Sequence, residues 1–256
     1  MSQQYDFVAK IVSLGDSGTG KSSLSIRLCE GRFSQHHDVT IGVEFGSRIV
    51  PVGPPASSLT SPSAKKAPTD NSPLPKSPKQ PPSQPQKHMK LSIWDTAGQE
   101  TYKSVTRSYF RGASGALLVF DISRRATFSH VTDWLSDLRQ IAEPDIVVVL
   151  VGNKSDLASS ESESNSRQVS EEEATRWCSD NGVMRYVETS AKSGEGVEAA
   201  FLEVAGRIWQ NIEAGRYDLA DRRSGVKAAG AGGSNRARTV NLGLNDAAAG
   251  RRGGCC

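Results

Sequence analysis

Gly15-Asp16-Ser17-Gly18-Thr19-Gly20-Lys21-Ser22 decides the reading of this chain. Glycine, four residues, then Gly-Lys-Ser is the spacing of a loop that cradles phosphate. The apolar run Phe7 to Leu14 before it reads as a buried strand, and Ser23 to Glu30 after it reads as a helix. Strand, loop and helix in that order are the context the motif requires. The glycines let successive backbone N–H groups point inward at phosphate oxygens, and the helix adds the positive end of its dipole. Lys21 is placed to reach the β- and γ-phosphates and the Ser22 hydroxyl to hold Mg²⁺. Ser23 extends the expected nucleotide contacts into the helix.

The rest of the chain offers acids and amides to complete that site. Phe33, just past the helix, either lies edge-on against a bound base or packs at the helix end. Thr40 has a hydroxyl to offer Mg²⁺. In Trp94-Asp95-Thr96-Ala97-Gly98-Gln99-Glu100, Asp95 ends a strand and suits an acid that holds Mg²⁺ through water. Gly98 leaves a backbone N–H free to approach a γ-phosphate, and Gln99 can orient an attacking water. The apolar runs Gly115 to Ile122 and Ile146 to Val151 read as buried parallel strands. The second leads into Gly152-Asn153-Lys154-Ser155-Asp156. A carboxylate there accepts from guanine N1 and N2, a donor pair adenine lacks, so the wrong base leaves a buried group unmatched. Thr189-Ser190-Ala191-Lys192 offers backbone to guanine O6 and a lysine stem to the base face.

Helices are read from spacing. Val131, Trp134, Leu135, Leu138 and Ile141 form one apolar stripe, and Phe201, Leu202, Ala205, Ile208 and Trp209 another. Ser170 with Glu173 makes a capping box. Cys29 and Cys178 sit alone in predicted helices and read as buried thiols, with neither disulfide nor metal-ligand spacing. The formal charge of +3 comes without a basic stripe interleaved with aromatics, so no nucleic-acid partner is expected. The first ten residues lack a signal-peptide pattern, and no apolar run approaches the roughly 20 residues that span a bilayer.

Two segments break this order. Residues 51–88 hold eleven of the twelve prolines and almost no bulky apolar residue. Such a composition cannot bury enough surface to offset its ordering entropy, so it reads as a disordered insertion at a hairpin tip. Closure there costs only roughly 0.6 kcal/mol per doubling of length. Its Ser61-Pro62, Ser72-Pro73 and Ser77-Pro78 pairs and its Pro-x-x-Pro spacings suit proline-directed kinases and proline-binding domains; an inert spacer and a retained intron are the alternatives. From Gly215 the chain turns Gly/Ala/Arg-rich and reads as a flexible linker. It ends Gly253-Gly254-Cys255-Cys256. The Cys-a-a-X lipidation pattern fails because Gly253 stands fourth from the end. Two terminal thiols still suit two lipid chains, enough for stable anchoring; a tag-like tail is the alternative.

Taken together, Gly15–Ser22, Thr40, Asp95–Gln99, Asn153–Asp156 and Ser190–Lys192 resemble the Ras superfamily of GTPases. Within it, Ile41-Gly42-Val43-Glu44-Phe45, Lys90-Leu91-Ser92-Ile93-Trp94, Tyr109-Phe110-Arg111-Gly112-Ala113 and Leu118-Val119-Phe120-Asp121-Ile122 resemble Rab signatures, most like the Rab-four subfamily, with Rab-two and Rab-fourteen next. The resemblance implies an α/β phosphate-loop fold over residues 1–212, a six-stranded, mostly parallel sheet flanked by five helices, then a hypervariable tail over 213–256. It implies Mg²⁺-dependent GTP hydrolysis to GDP with Lys21 and Gln99 catalytic. Two switches follow Thr40 and Asp95, and an effector surface runs through Ile41, Gly42, Val43, Phe45, Trp94 and Tyr109; ordinary packing is the other account of its aromatics. It also implies geranylgeranyl groups on Cys255 and Cys256 and a monomer with no obligate oligomer. Implied partners are an exchange factor, a GTPase-activating protein, a GDP-dissociation inhibitor, a prenylation escort protein and GTP-dependent effectors. The implied location is the cytoplasmic face of early and recycling endosomes with a cytosolic pool, Golgi-related membrane being the second choice. Thr101-Tyr102-Lys103, Phe110 and Ser17 depart from the usual Rab residues. A non-catalytic scaffold that binds guanine nucleotide and a phosphate-loop ATPase or kinase are the rival classes.

Overall fold

The computed structural model describes residues 4–35, 39–53, 86–158, 167–219, 221 and 224–229. Most of the proline-rich insertion, much of the Ser/Glu-rich stretch after Ala158, and Cys255-Cys256 lie outside them.

The sheet is built around β1 (Phe7–Leu14), which pairs in parallel with β3 (Lys87–Thr96) and β4 (Gly115–Asp121). β5 (Val147–Asn153) and β6 (Arg185–Thr189) continue it in parallel, and β2 (Val43–Val52) closes the other edge antiparallel to β3. The order is β2-β3-β1-β4-β5-β6. Every residue of β4 and β5 is buried, because helices cover both faces of this parallel region. One layer is α1 (Lys21–Glu30) with α6 (Val197–Glu213), which pack Leu24, Leu28, Phe201, Val204 and Ile208 against the sheet. The other holds α2 (Lys103–Ser108), α3 (Arg125–Ser129), α4 (Val131–Arg139) and α5 (Glu171–Asp180), whose Phe128, Trp134, Leu138, Ala174 and Cys178 join the second core. α3 and α4 abut at His130, so the expected five helical units are present.

Gly31 ends α1 at φ 71°, its N–H donating to the Arg27 carbonyl. Of the expected capping box one half forms: Ser170 accepts from the Glu173 N–H at the start of α5, while the Glu173 carboxylate pairs with Arg125 instead of reaching back to Ser170. Cys178 is buried as expected, whereas Cys29 is only partly so.

Three features sharpen or correct the sequence reading. First, β2 and β3 run into the 51–88 segment read as disordered, to Val52 and from Lys87. Pro51 is tolerated because β2 is an edge strand whose missing N–H costs no ladder bond on the outer side. Second, the insertion is rooted far from the phosphate loop. Gly53 rests on Trp209 of α6, the Gln86 side chain donates to the Val52 carbonyl, and Lys87 pairs with Asp6 at 2.9 Å. All of this lies at the N-terminal end of β1, opposite Gly15. Third, part of the expected flexible tail is docked. β7 (Val226–Ala228) pairs antiparallel with Phe7–Ala9. β4 begins only opposite Ile11, which leaves the first residues of β1 with an open edge on that side. The tail fills this notch: Gly225 accepts from the Lys10 N–H and Val226 is fully buried, while Tyr217 and Leu219 pack on the α1/α6 core. A single valine among Gly, Ala and Arg residues is too short a signal to read as a strand.

Candidate functional site

The loops at the C-terminal ends of β1, β3, β5 and β6 enclose a cavity of about 480 Å³. That is within the range of a small-molecule site. Ser17, Gly18, Gly20, Lys21, Ser22, Ser23, Phe33, Thr40, Gly98, Asn153, Lys154, Asp156, Ala191 and Lys192 line it. Segments more than 150 residues apart in sequence, from Ser17 to Lys192, thus meet where the sequence reading placed them. Phe33 is at the rim and 37% exposed, so it is not spent on helix-end packing.

Lys21 is the electrostatic centre. Its ammonium donates to the carbonyls of Gly15 and Asp16, both at 2.9 Å. Burial pulls its pKa down to about 8, against the opposing pull of Asp95 and Asp16, which favour the charge. A buried cation in the wall of a cavity suits an anion. Gly20 shows why the loop needs glycine: at φ 91°, a Cβ there would stand 2.2 Å from the Asn153 amide nitrogen. Gly98 is docked on the loop itself, its carbonyl accepting from the Ser17 N–H at 3.1 Å.

The oxygen donors fit a small hard cation. Ser22 Oγ and Thr40 Oγ1 stand 2.7 Å apart. Neighbouring ligands of an octahedral Mg²⁺ at about 2.1 Å stand about 3 Å from each other. Asp95, at the end of β3, is 2% exposed and electrostatically coupled to Lys21. Two hydroxyls and one carboxylate, with phosphate oxygens to complete the shell, are what Mg²⁺ accepts. Among the described residues there is no cluster of three His, Cys, Asp or Glu that would suit a softer metal.

The base end is wired by side chains. Asn153, 1% exposed, donates to the Thr19 carbonyl at 2.8 Å and accepts from the Thr189 hydroxyl and the Ala191 N–H at 3.2 Å each. It therefore joins the phosphate loop to the Ser190–Lys192 loop. Lys154 stands at φ 72° and pairs with the buried Asp121 at 2.7 Å. Ser190 donates to Asp156 Oδ1 at 2.6 Å and Lys192 stands 3.9 Å from its other oxygen, which fixes that carboxylate at the cavity wall.

Some expected contacts fall elsewhere. Gly15, Asp16, Thr19, Asp95, Gln99 and Ser190 do not line the cavity. The Asp16 carboxylate points outward and is held by Trp134 Nε1 at 2.8 Å and His130 Nδ1 at 2.7 Å. Thr19 is fully buried and its hydroxyl donates to the Asp16 carbonyl. Gln99 is partly exposed beside Gly98. Sequence reading missed Asp121, Leu157 and Arg124. Asp121 had a signal, as an acid ending an otherwise apolar strand. Arg124 had none, yet its guanidinium lies 3.4 Å from the Ser17 carbonyl on the outside of the loop.

Beside the cavity, Ile41 and Phe45 are 79% and 61% exposed. Phe45, Trp94 and Tyr109 form a continuous row, with ring centroids 5.4 and 5.2 Å apart, and Lys10 lies over the Trp94 ring. Phe110, by contrast, is wholly inside the core.

Residues 77–210, just over half of the chain, match the Ras family. Residues 10–57, which carry the phosphate loop, match Roc, the Ras-of-Complex domain of DAPkinase. The chain belongs to the Ras family and is a small GTPase that binds GTP and hydrolyses it to GDP.

Proposed function

We propose that this GTPase is a Rab-type switch of the Rab-four kind, which recruits effectors for vesicle trafficking while it holds GTP. The observation that carries this reading is the 2.7 Å meeting of Ser22 and Thr40. It joins the phosphate-holding helix to the exposed segment Ile41–Phe45 through one hydroxyl. The presence of the γ-phosphate can then order or release that segment.

In this reading Lys21 and the N–H groups of Gly18 to Ser22 hold the triphosphate and stabilise charge as it develops. Ser22, Thr40 and, through water, Asp95 would hold Mg²⁺, which would supply neutralisation of the phosphate charge. Water attacks the γ-phosphorus in line. Its oxygen–phosphorus bond forms as the bond to the β–γ bridging oxygen breaks; the bridging electrons leave on GDP, and both protons of the water end on the released phosphate. Gln99 orients that water once its amide turns into the cavity from its partly exposed place beside Gly98. Asp156, held by Ser190, selects guanine, and Ala191 offers its backbone to O6.

The effector surface is Ile41, Gly42, Val43, Phe45, Trp94 and Tyr109. Geranylgeranyl groups on Cys255 and Cys256 anchor the protein to early and recycling endosomes. A GDP-dissociation inhibitor and a prenylation escort protein handle the lipid. Imaging of the tagged full chain beside its Cys255→Ser/Cys256→Ser variant tests this. Endosomal puncta that become diffuse in the variant are expected; a diffuse pattern in both would overturn the membrane assignment. Single-turnover hydrolysis by Gln99→Leu tests the chemistry: a slower rate is expected, and an unchanged rate removes Gln99 from the mechanism.

A further inference from the structure

We infer that Arg27 is a positioning residue that sets the guanine-reading loop from the phosphate-binding helix; the inference rests on the GTPase reading above. Arg27 lies in α1, six residues past Lys21. Its Nε donates to the Ala191 carbonyl at 2.9 Å, one terminal nitrogen donates to the Lys192 carbonyl, and the other donates to the Gly31 carbonyl at 2.9 Å. One planar fork thus caps its own helix and grips two consecutive carbonyls of a loop more than 160 residues away in sequence.

The same loop is held from its other side, where the Ala191 N–H donates to Asn153. Asn153 therefore holds the N–H of Ala191 and Arg27 its carbonyl. Asn153 ties that residue to the phosphate loop through Thr19, and Arg27 ties it to the helix that begins at Lys21. A lysine would bring one compact ammonium in place of the fork and could not hold both carbonyls and the cap in one geometry. Arg27 does not line the nucleotide cavity. It acts through the loop whose carbonyls it holds.

Arg27 also borders an open hollow between α1, Arg48 of β2 and the start of α6. Shortening its side chain therefore leaves no closed void in the core, and the fold is expected to survive.

The test uses the full chain unaltered and as Arg27→Gln and Arg27→Lys. GDP release, ADP binding by competition, single-turnover cleavage of bound GTP, and thermal unfolding of GDP-saturated protein are measured. Arg27→Gln is expected to release GDP about tenfold faster, the scale of one lost charged hydrogen bond. Its weak ADP binding, which rests on phosphate contacts, and its GTP cleavage are expected within about twofold of the parent, the limit below which a positioning effect is not resolved. Arg27→Lys falls between. Unchanged GDP release in both variants would overturn the inference. So would equal weakening of GDP and ADP, the mark of a merely structural loss. If the parent chain itself showed no preference for GDP, the GTPase reading and this inference would fall together.

Discussion

The two ends of β1 are held in different ways. At the C-terminal end, loops from β1, β5 and β6 are cross-linked by buried and half-buried polar side chains: Lys21 to Gly15 and Asp16, Asn153 to Thr19 and Ala191, Ser190 to Asp156. At the N-terminal end, the chain is held by backbone ladders and shallow contacts: β7 on Phe7–Ala9, Gln86 on Val52, Lys87 on Asp6. Buried polar networks tolerate little change because each lost partner strands another group. Ladder edges accept additions, since they ask only for a backbone. The long insertion and the tail strand both enter at the permissive end, and the chemistry sits at the demanding one.

The largest effect that would break this contrast is at Lys21. Lys21→Ala removes the only buried ammonium among the described residues, one that lines the cavity. GDP affinity is expected to fall at least about a hundredfold, from the loss of a charge-assisted bond of roughly 3 kcal/mol. Titration calorimetry reads it directly. Gly20→Ala is expected to damage binding on a similar scale, because its Cβ would collide with the Asn153 amide, severing the two halves of the site.

Next comes pH. Burial holds the Lys21 pKa near 8 before nucleotide arrives, and bound phosphate favours the protonated form. Above pH 8 the empty site loses its proton and must regain it on binding. GDP affinity is therefore expected to weaken by up to about tenfold per pH unit above 8, with proton uptake on binding, and to be flat in this respect below 8. The sign for stability is the reverse: a lysine depressed in the folded state costs stability below 8. That cost fades as pH rises toward the unfolded value of 10.5, so the nucleotide-free protein gains stability over that interval.

At the permissive end the effects shrink. Val226→Asp puts a carboxylate where a fully buried valine docks on β1. The strand is expected to detach at a cost of about 2 kcal/mol, roughly 4–8 °C in Tm, with GDP affinity unchanged. The smallest effect belongs to the insertion. Replacing residues 54–85 by a short turn between Gly53 and Gln86 is expected to leave GDP affinity and intrinsic hydrolysis within about twofold, and loop-closure entropy predicts a slight gain in stability. A large loss of nucleotide affinity in either variant would show that the two ends are coupled.

What could be read from sequence follows the same division. Gly15–Ser22 and Asn153–Asp156 were legible because their chemistry needs fixed residue types at fixed short spacings. β4 and β5 were legible because burial on both faces leaves an unbroken apolar run. The outward turn of Asp16 was not, since its partners His130 and Trp134 lie more than 110 residues away on a helix whose stripe explains itself as core. Arg27 was illegible for a related reason: an arginine on a helix reads as surface, and only the fold brings Ala191 to it. β7 was hidden because its stability comes from an open edge on β1, a property of the partner strand and not of Val226–Ala228.

The central expectation is that a buried lysine and main-chain amides grip the phosphates while Asp156 chooses the base. Equilibrium binding of GDP and ADP to the purified full chain, with Mg²⁺, tests it most directly. Tight retention of GDP and at least a hundredfold weaker ADP binding are predicted, with the preference collapsing in Asp156→Asn, as expected when a buried pairing group is lost. Equal binding of the two nucleotides, or failure to hold GDP at micromolar concentration, would contradict it.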